Sequence, residues 1–287
     1  MSIDLDLLIK AYGSGIFPMA DARDDPEIFW VEPKNRAVLP LEGFHVSRSL
    51  RKAIRSDRFR VTCDTAFAEV IAICAESADD RRETWINDQI EQAFIALHER
   101  GQAHSIECWQ PGPDGEDEMV GGLYGLELGG AFCGESMFSR TRDASKVALA
   151  WLVARLKVGG FQLLDCQFMT DHLASLGAVE ISQEEYLERL KAAQSYSTPA
   201  FSAIRSPIRS SGSSAGAGAG AGSAGGWTGE GETLETVSPS PAVSFSALDD
   251  KLTALEDEDR GAVGLVESSG GFSSPGKLIS HLLTQTS

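Results

Sequence analysis

Two short stretches place ionisable and amide side chains at the ends of apolar strands. Residues 134–139 read GESMFS, and residues 165–177 read DCQFMTDHLASLG. Side chains alternate between the faces of a strand, so Asp165 and Gln167 are expected to be neighbours, with Cys166 on the other face. A carboxylate beside a carboxamide can hold an attacking amine or polarise a carbonyl, as acyl transfer requires. The pair could also be a structural hydrogen bond that ties the strand to the next turn.

A basic run between residues 48 and 60 is the second candidate feature. It predicts a helix that leads into a strand, and its first half carries Arg48, Arg51, Lys52 and Arg55. The chain has a net charge of −17, so only a local cluster such as this one could bind a polyanion. An ordinary solvated helix face is the alternative interpretation.

The elements that must position these groups follow from hydrophobic periodicity and from turn residues. Helices are predicted over 65–75 with Asp64 as N-cap, over 86–100 ended by Gly101, over 143–157 capped by Asp143, and over 182–190 from a capping box at Ser182. Strands are predicted over 103–110, 119–128, 131–138 and 161–168. Three meandering strands, a crossing helix and a returning strand indicate a mixed α/β (α+β) sheet.

The last third of the chain differs from the rest in composition. Every residue from 210 to 226 is Gly, Ala or Ser, which is typical of a flexible linker. Residues 245–255 and 278–283 could form amphipathic helices, but each is too short to be stable alone. We therefore expect residues 203–287 to be a low-complexity, mostly disordered tail that is dispensable for chemistry.

Composition excludes several classes of protein. The chain has 287 residues and 42% apolar content, enough to build a core. No apolar run approaches the roughly 18 residues that span a bilayer, and the start of the chain lacks the pattern of a signal peptide, so a cytoplasmic location is expected. Five widely spaced cysteines without a CxxC pair indicate neither a disulfide framework nor a zinc site. We expect no metal and no cofactor.

A series of collinear motifs resembles one family, the leucyl/phenylalanyl-tRNA–protein transferases. The motifs span about two thirds of the chain: AYGSGIFPMA at 11–20, HVSRSLRK at 45–52, TWIND at 84–88, VGGLYG at 120–125, GESMFSR at 134–140, DASK at 143–146, and DCQ with DHLASLGA at 165–178. The resemblance implies an enzyme that moves leucine or phenylalanine, and methionine less well, from charged tRNA to the α-amine of proteins that begin with Lys or Arg. Such proteins are thereby marked for degradation. The implied partners are Leu-tRNA, Phe-tRNA and those proteins, without a membrane.

The resemblance also implies a fold and a domain division. Residues 41–200 would form an acetyltransferase-like (GNAT-like) catalytic domain, and residues 1–40 a small N-terminal domain that contributes the GIFPM loop to the cleft. Residues 203–287 lie beyond the resemblance.

Roles for individual residues are implied on the matching positions. Gln167 would contact the incoming α-amine, Asp165 would help to draw off its proton, and Glu135 would lie near the donor's amino group. Trp85 would stack on the 3′ adenine with Tyr12 nearby, a contact worth about 1–3 kcal/mol. An apolar pocket for the donor side chain would be drawn from Leu123, Phe132, Met137, Leu149, Leu152 and Leu156. The basic helix, Arg48, Arg51, Lys52 and Arg55, would bind tRNA phosphates.

Four rival functions can be compared with these motifs. An acyl-CoA acetyltransferase would need a glycine-bearing pyrophosphate loop where this chain has SRTRDA at 139–144. A serine hydrolase would need GxSxG, which fails at the last position of GESMF. A Cys166–His172 nucleophilic pair is conceivable, although strand alternation turns Cys166 away from Asp165. A non-catalytic tRNA-binding protein would keep the basic helix but would have no need of the two polar stretches.

Overall fold

The computed structural model describes residues 2–76, 84–196, 242–261 and 274–285, and only the backbone for 256–261. In these ranges the α-helices are α1 (Leu5–Gly13), α2 (Arg48–Arg55), α3 (Phe67–Ala75), α4 (Asp88–Glu99), α5 (Ala144–Gly159), α6 (Asp171–Ala174), α7 (Gln183–Ala193), α8 (Ala247–Gly261) and α9 (Pro275–Leu282). The strands are β1 (Phe17–Met19), β2 (Phe29–Val31), β3 (Asn35–Val38), β4 (Arg60–Cys63), β5 (Ala103–Pro111), β6 (Asp117–Leu128), β7 (Ala131–Ser139), β8 (Leu163–Gln167) and β9 (Val179–Ser182).

A seven-stranded mixed sheet forms the centre of the molecule, in the order β4-β5-β6-β7-β8-β3-β9. The pairing is antiparallel except between β7 and β8, which are parallel because α5 crosses from one to the other. The predicted meander, crossing helix and returning strand are confirmed. Strand β3 enters the sheet between β8 and β9, far from its position in the sequence.

Helices cover both faces of this sheet. Alternation along β6 sends Leu123 to one hydrophobic cluster and Tyr124 to the other. The first cluster includes the apolar faces of α2 and α5, and the second includes those of α1, α3, α4 and α7. The N-terminal residues Leu8 and Phe17 belong to the second cluster, and the division at residue 40 stays a prediction.

One of the predicted helix caps is wrong, and a second is confirmed in position only. Asp64 has a left-handed backbone (φ 59°), and its carboxylate accepts the backbone N–H of Ser105 at 2.8 Å instead of capping α3. Asp143 stands at the N-cap position of α5 but accepts no capping hydrogen bond there. The predicted cap of α7 is confirmed, since Ser182 Oγ accepts the N–H of Glu185 at 3.2 Å.

The prediction of a mostly disordered tail is not confirmed for two segments. Residues 242–261 and 274–285 contain α8 and α9, which pack against the cluster around α5. Phe245, Leu248 and Ile279 are buried there. Helices of this length depend on such tertiary burial, which the sequence pattern alone does not show. Residues 197–241, with the Gly/Ala/Ser run, lie outside the described residues.

Across the described residues, no helix combines the length and the apolar character that crossing a membrane requires.

Candidate functional site

Asp165 lies near the end of β8 in a fully buried network. Its side chain is 0% exposed and accepts four hydrogen bonds: from Arg36 Nε at 2.9 Å, Arg36 Nη2 at 2.6 Å, the Tyr186 hydroxyl at 3.0 Å and the backbone N–H of Gln167 at 2.8 Å. A carboxylate with these donors around both oxygens has little capacity left for a substrate. Asp165 is therefore placed to hold Arg36, Tyr186 and Gln167 in position rather than to contact a substrate itself.

Arg36 is the residue of this network that the motif analysis missed. It reaches Asp165 from the neighbouring strand β3, where Val38 pairs with Asp165. Its guanidinium lies over the Phe17 and Tyr186 rings at 4.7 and 4.4 Å, and Nη1 donates to the carbonyl oxygen of Gly15 at 3.1 Å. Burial opposes its charge, but the hydrogen bond to Asp165 raises the pKa of Arg36 above its usual range. An arginine directly before the apolar run AVLP of residues 37–40 was the available signal.

Gln167 links the buried network to Glu135. It has a left-handed backbone (φ 62°), which costs energy for a residue with a side chain and ends the regular alternation of β8. Its Nε2 donates to Glu135 Oε2 on β7 at 2.9 Å. The expectation that Asp165 and Gln167 are neighbours is confirmed, but Gln167 lines the cavity described below and Asp165 does not.

Glu135 is the buried acid of this site. Burial raises its pKa to about 8, although the hydrogen bond from Gln167 favours the charged form. Its Oε1 has no hydrogen-bond partner within the described part of the chain. Tyr12 is buried nearby, and its own burial, together with the negative charge of Glu135, raises the pKa of its hydroxyl. Such a carboxyl group can exchange a proton near neutral pH or meet an ammonium group.

A cavity of about 670 Å³ opens in front of Glu135 and Gln167. Five of the predicted substrate-binding residues line it, from three elements and one loop: Trp85, Leu123, Met137, Leu149 and Leu152. Its size is within the range of pockets for small ligands. Its lining combines these apolar side chains with polar ones, among them Glu135, Gln167, Arg140 and His172, which suits an apolar side chain attached to a polar backbone.

Three predicted substrate-binding residues do not line this cavity. Phe132 points into the core, where its ring stacks with that of Phe245 at 5.4 Å. Leu156 is fully buried one turn beyond Leu152 on α5. Tyr12 packs edge-on against Phe94 at 6.3 Å. Each has a core partner that strand and helix periodicity could not identify.

Cys166 and His172 also line the cavity, but no described hydrogen bond joins them. Burial raises the pKa of Cys166 above its usual range, which disfavours the thiolate that a nucleophile needs. Burial lowers the pKa of His172. The geometry does not favour a nucleophilic cysteine.

The predicted tRNA-binding residues lie together on α2, away from this network. Ser47 caps the helix, Leu50 and Ile54 are buried, and Arg48, Arg51, Lys52 and Arg55 are exposed on the outer side. As for metals, the described residues contain no group of three or more His, Cys, Asp or Glu side chains arranged to hold an ion.

Comparison with known proteins gives consistent matches. The family model described as leucyl/phenylalanyl-tRNA protein transferase matches residues 38–191, and the model of that family's N-terminal domain matches residues 1–34. A protein of Rhizorhabdus wittichii named leucyl/phenylalanyl-tRNA–protein transferase is 62% identical over 192 residues, which are 67% of this chain and 75% of that protein. Proteins of the same name from Zymomonas mobilis (62% identity, 67% of this chain and 70% of the relative) and Rhodospirillum rubrum (57%, 66% and 87%) are similar as well. Both family matches end before α8 and α9.

Proposed function

Because the chain belongs to the leucyl/phenylalanyl-tRNA–protein transferase family and is an aminoacyltransferase, we propose that it transfers leucine or phenylalanine, and methionine less well, from charged tRNA to the N-terminal amine of proteins that begin with Lys or Arg. The observation that carries this proposal is the Glu135–Gln167 pair at the wall of the larger cavity, beside its apolar residues. The pair offers one acidic and one amide group to the polar atoms of a donor whose side chain fills the apolar part.

The donor side chain lies against Leu123, Met137, Leu149 and Leu152 in this proposal. Leucine is branched and phenylalanine is planar, so one pocket must adapt to both shapes. The unbranched thioether of Met137 is half-buried at the cavity and is suited to that adaptation. The ionised form of Glu135 faces the donor's ammonium group, and Trp85 provides a ring for the terminal adenine.

The reaction joins the acceptor nitrogen to the donor carbonyl carbon. The neutral α-amine attacks the ester carbonyl, an amide bond forms, and the bond between that carbon and the ribose oxygen breaks. The proton that leaves the nitrogen ends on the ribose oxygen, so the products are the extended protein and a free tRNA hydroxyl. Gln167 orients the attacking amine, and Asp165 with Arg36 holds Gln167 in place. Asp165 does not take the amine proton directly, because its oxygens already accept four hydrogen bonds. It acts on the reaction by holding Gln167 in position.

The acceptor and the wider biology follow from the family resemblance. A net charge of −17 favours a cationic acceptor terminus. Marking of the modified proteins for degradation, action in the cytoplasm and an acetyltransferase-like fold are parts of the same proposal. The meander β5–β6–β7, the crossing helix α5 and the parallel strand β8 support that fold assignment.

The test uses labelled Leu-tRNA and peptides that differ only in their first residue. Label is expected on peptides that start with Arg or Lys, and not on those that start with Asp, Gly or an acetylated residue. Equal transfer to all peptides would contradict the acceptor assignment, and no transfer to any of them would contradict the proposed reaction.

A further inference from the structure

A second cavity, of about 300 Å³, lies between α2 and α9. It is lined by Arg51, Arg55, Lys277, Ser280, His281 and Thr284. None of these six residues, all in described parts of the chain, is acidic. The helix α9 lies outside residues 1–34 and 38–191, which the family models match, so the cavity combines a helix inside the family match with a helix outside it.

Close backbone contact fixes α9 against the end of α2. Gly276 faces the carbonyl oxygen of Ile54 so closely that a Cβ atom there would overlap it. The N–H of Gly276 donates to Asp57 Oδ1 at 2.7 Å, and Ile279 is buried in the core cluster. Only glycine permits this approach, so the docking of α9 has a defined register.

That register brings two pairs of side chains together. Arg51 and Arg55 are four residues apart on α2, and Lys277 and His281 are four apart on α9, so each pair shares a helix face. The two faces meet at the cavity. Within the described residues, no carboxylate forms a salt bridge with Arg51 or Arg55. The cavity therefore concentrates positive charge in a chain whose net charge is −17.

Further basic residues connect this cavity with the candidate site. Arg58, just beyond α2, donates to the carbonyl oxygen of Arg142 at 2.8 Å, and Arg142 has a side chain that is 83% exposed. Arg140 lines the larger cavity. Asp143 lies 3.7 Å from Arg58 and offsets part of this charge. Arg140 is likewise paired with Glu76 at 3.2 Å, so the arginines beyond α2 add a partly neutralised basic stretch to the charge of Arg51, Arg55 and Lys277.

We propose that Lys277 completes a phosphate-binding pocket with Arg51 and Arg55, and that this pocket holds the backbone of the donor tRNA while the charged 3′ end occupies the larger cavity. This inference rests on the proposed function, because that function makes tRNA the donor. It adds a contact from a segment outside the family match. Regularly spaced phosphates suit such a pocket, and neutralising one of them releases bound counterions.

The experiment compares Lys277→Gln with Lys251→Gln in the full-length protein. Lys251 is an exposed lysine of α8 in the same extension and does not line the cavity, so it is the matched control. Lys277→Gln is expected to raise KM for Leu-tRNA by roughly 3- to 10-fold at low salt with kcat unchanged, and to reduce the salt slope of log KM by about 0.7–0.9, the value of one phosphate contact. Transfer from the minimal donor leucyl-adenosine is expected to stay at the wild-type rate. Lys251→Gln is expected to match the wild type with both donors.

Direct binding of uncharged tRNA, followed by fluorescence anisotropy, gives a readout that does not need activity. Weaker tRNA binding by Lys277→Gln supports the pocket, and binding equal to the wild type overturns it. A loss of transfer rate with leucyl-adenosine as large as the loss with Leu-tRNA would overturn it too, since Lys277 would then be needed for folding or for the chemical step. If Lys277→Gln weakened inhibition by inorganic pyrophosphate but left tRNA binding unchanged, the cavity would be a small-anion site, and the tRNA proposal would fail.

The variant Arg55→Gln distinguishes an error in the role of Lys277 from an error in the proposed function. If Arg55→Gln raises KM for Leu-tRNA and Lys277→Gln does not, only the contribution of α9 is wrong. A wild-type protein that binds tRNA through Lys277 but transfers no leucine would contradict the proposed function and leave the pocket standing.

Discussion

Two buried arginines form bidentate salt bridges with aspartates in different regions of this protein. Arg36 binds Asp165 between β3 and β8, inside the part that the family models match, with the side chains 1% and 0% exposed. Arg155 on α5 binds Asp249 on α8 at 2.7 and 2.6 Å, with the side chains 2% and 50% exposed. The chemistry is the same, but only the first carboxylate has lost all contact with water.

This difference in exposure means that the two ion pairs have different roles. The Arg36–Asp165 pair supports the candidate site, and the Arg155–Asp249 pair helps to attach α8 to α5. Asp165 needs Arg36 because an ionised carboxylate without a partner is costly in a dry interior. Asp249 can be solvated where it stands, so its pair with Arg155 is screened and contributes less. Arg155 also donates to the carbonyl oxygen of Phe245 at 2.8 Å, which helps to hold the extension against α5.

The largest effect is expected when the two arginines are replaced in the same way. Arg36→Met leaves Asp165 buried without its partner and should lower the free energy of unfolding by about 3–5 kcal/mol. Transfer should be lost with it, because Gln167 is positioned by Asp165. Arg155→Met should cost clearly less, since Asp249 stays half in water. Urea unfolding and single-turnover transfer measure both, and equal losses would show that the exposure of the carboxylate does not decide the cost.

Gln167→Ala is expected to separate activity from stability within the first region. It removes the amide next to the cavity and should lower kcat about 10²-fold, the scale for loss of one positioned hydrogen-bonding group. The unfolding free energy should change far less than for Asp165→Ala, which also leaves Arg36 buried and unpaired. Gln162→Ala, in the exposed loop before β8, is the control. A wild-type kcat for Gln167→Ala would remove this residue from the mechanism.

Glu135→Gln is expected to change the pH dependence of stability. Below pH 4.5 the carboxyl group is protonated in both the folded and the unfolded state, and between pH 4.5 and 8 only the folded state keeps the proton. The unfolded chain then binds fewer protons, so the unfolding free energy of the wild type falls as pH rises, by up to about 1.4 kcal/mol per pH unit. Glutamine has no such proton, so the stability of the wild type relative to the variant should decline from pH 5 to 8. A constant difference over this window would contradict the raised pKa.

The smallest effect is expected for Asp249→Asn in the second region. It weakens the contact with Arg155 but leaves the hydrogen bond to Phe245, so the cost should be about 1 kcal/mol and should shrink at high salt. Limited proteolysis should cut residues 242–261 sooner than in the wild type, with the rate of leucine transfer unchanged. Proteolysis at the wild-type rate would show that apolar contacts alone dock α8.

Truncation after residue 199 tests the contribution of α8 and α9 by removing both helices. The sequence predicts that this truncation leaves the chemistry intact, so transfer from leucyl-adenosine should continue at the wild-type rate. Because Lys277 is removed as well, KM for Leu-tRNA should rise as it does for Lys277→Gln. The structure adds that the truncation removes the buried Phe245, Leu248 and Ile279, so the melting temperature should fall. A truncated chain with an unchanged melting temperature would show that α8 and α9 add no stability.

Local sequence patterns determined much of the central architecture. Hydrophobic periodicity and turn residues predicted β5, β6 and β7, and the 3.6-residue period predicted α5. The two polar stretches singled out Glu135 and Gln167 as candidate site residues, and both line the larger cavity. These features are local, or depend on adjacent strands, so the sequence carries them directly.

Only the tertiary structure decided which of these polar groups faces the cavity and what supports it. Arg36 lies 129 residues from Asp165 along the chain, and no local periodicity reports the insertion of β3 beside β8. The raised pKa of Glu135 depends on its burial, which comes from all the elements that close over it. Likewise, α8 and α9 are too short to be stable alone, and only the groove against α5 and α2 gives them apolar surface to bury. The sequence by itself determined which side chains could do chemistry, and the packing of distant segments decided where each of them lies and how it is charged.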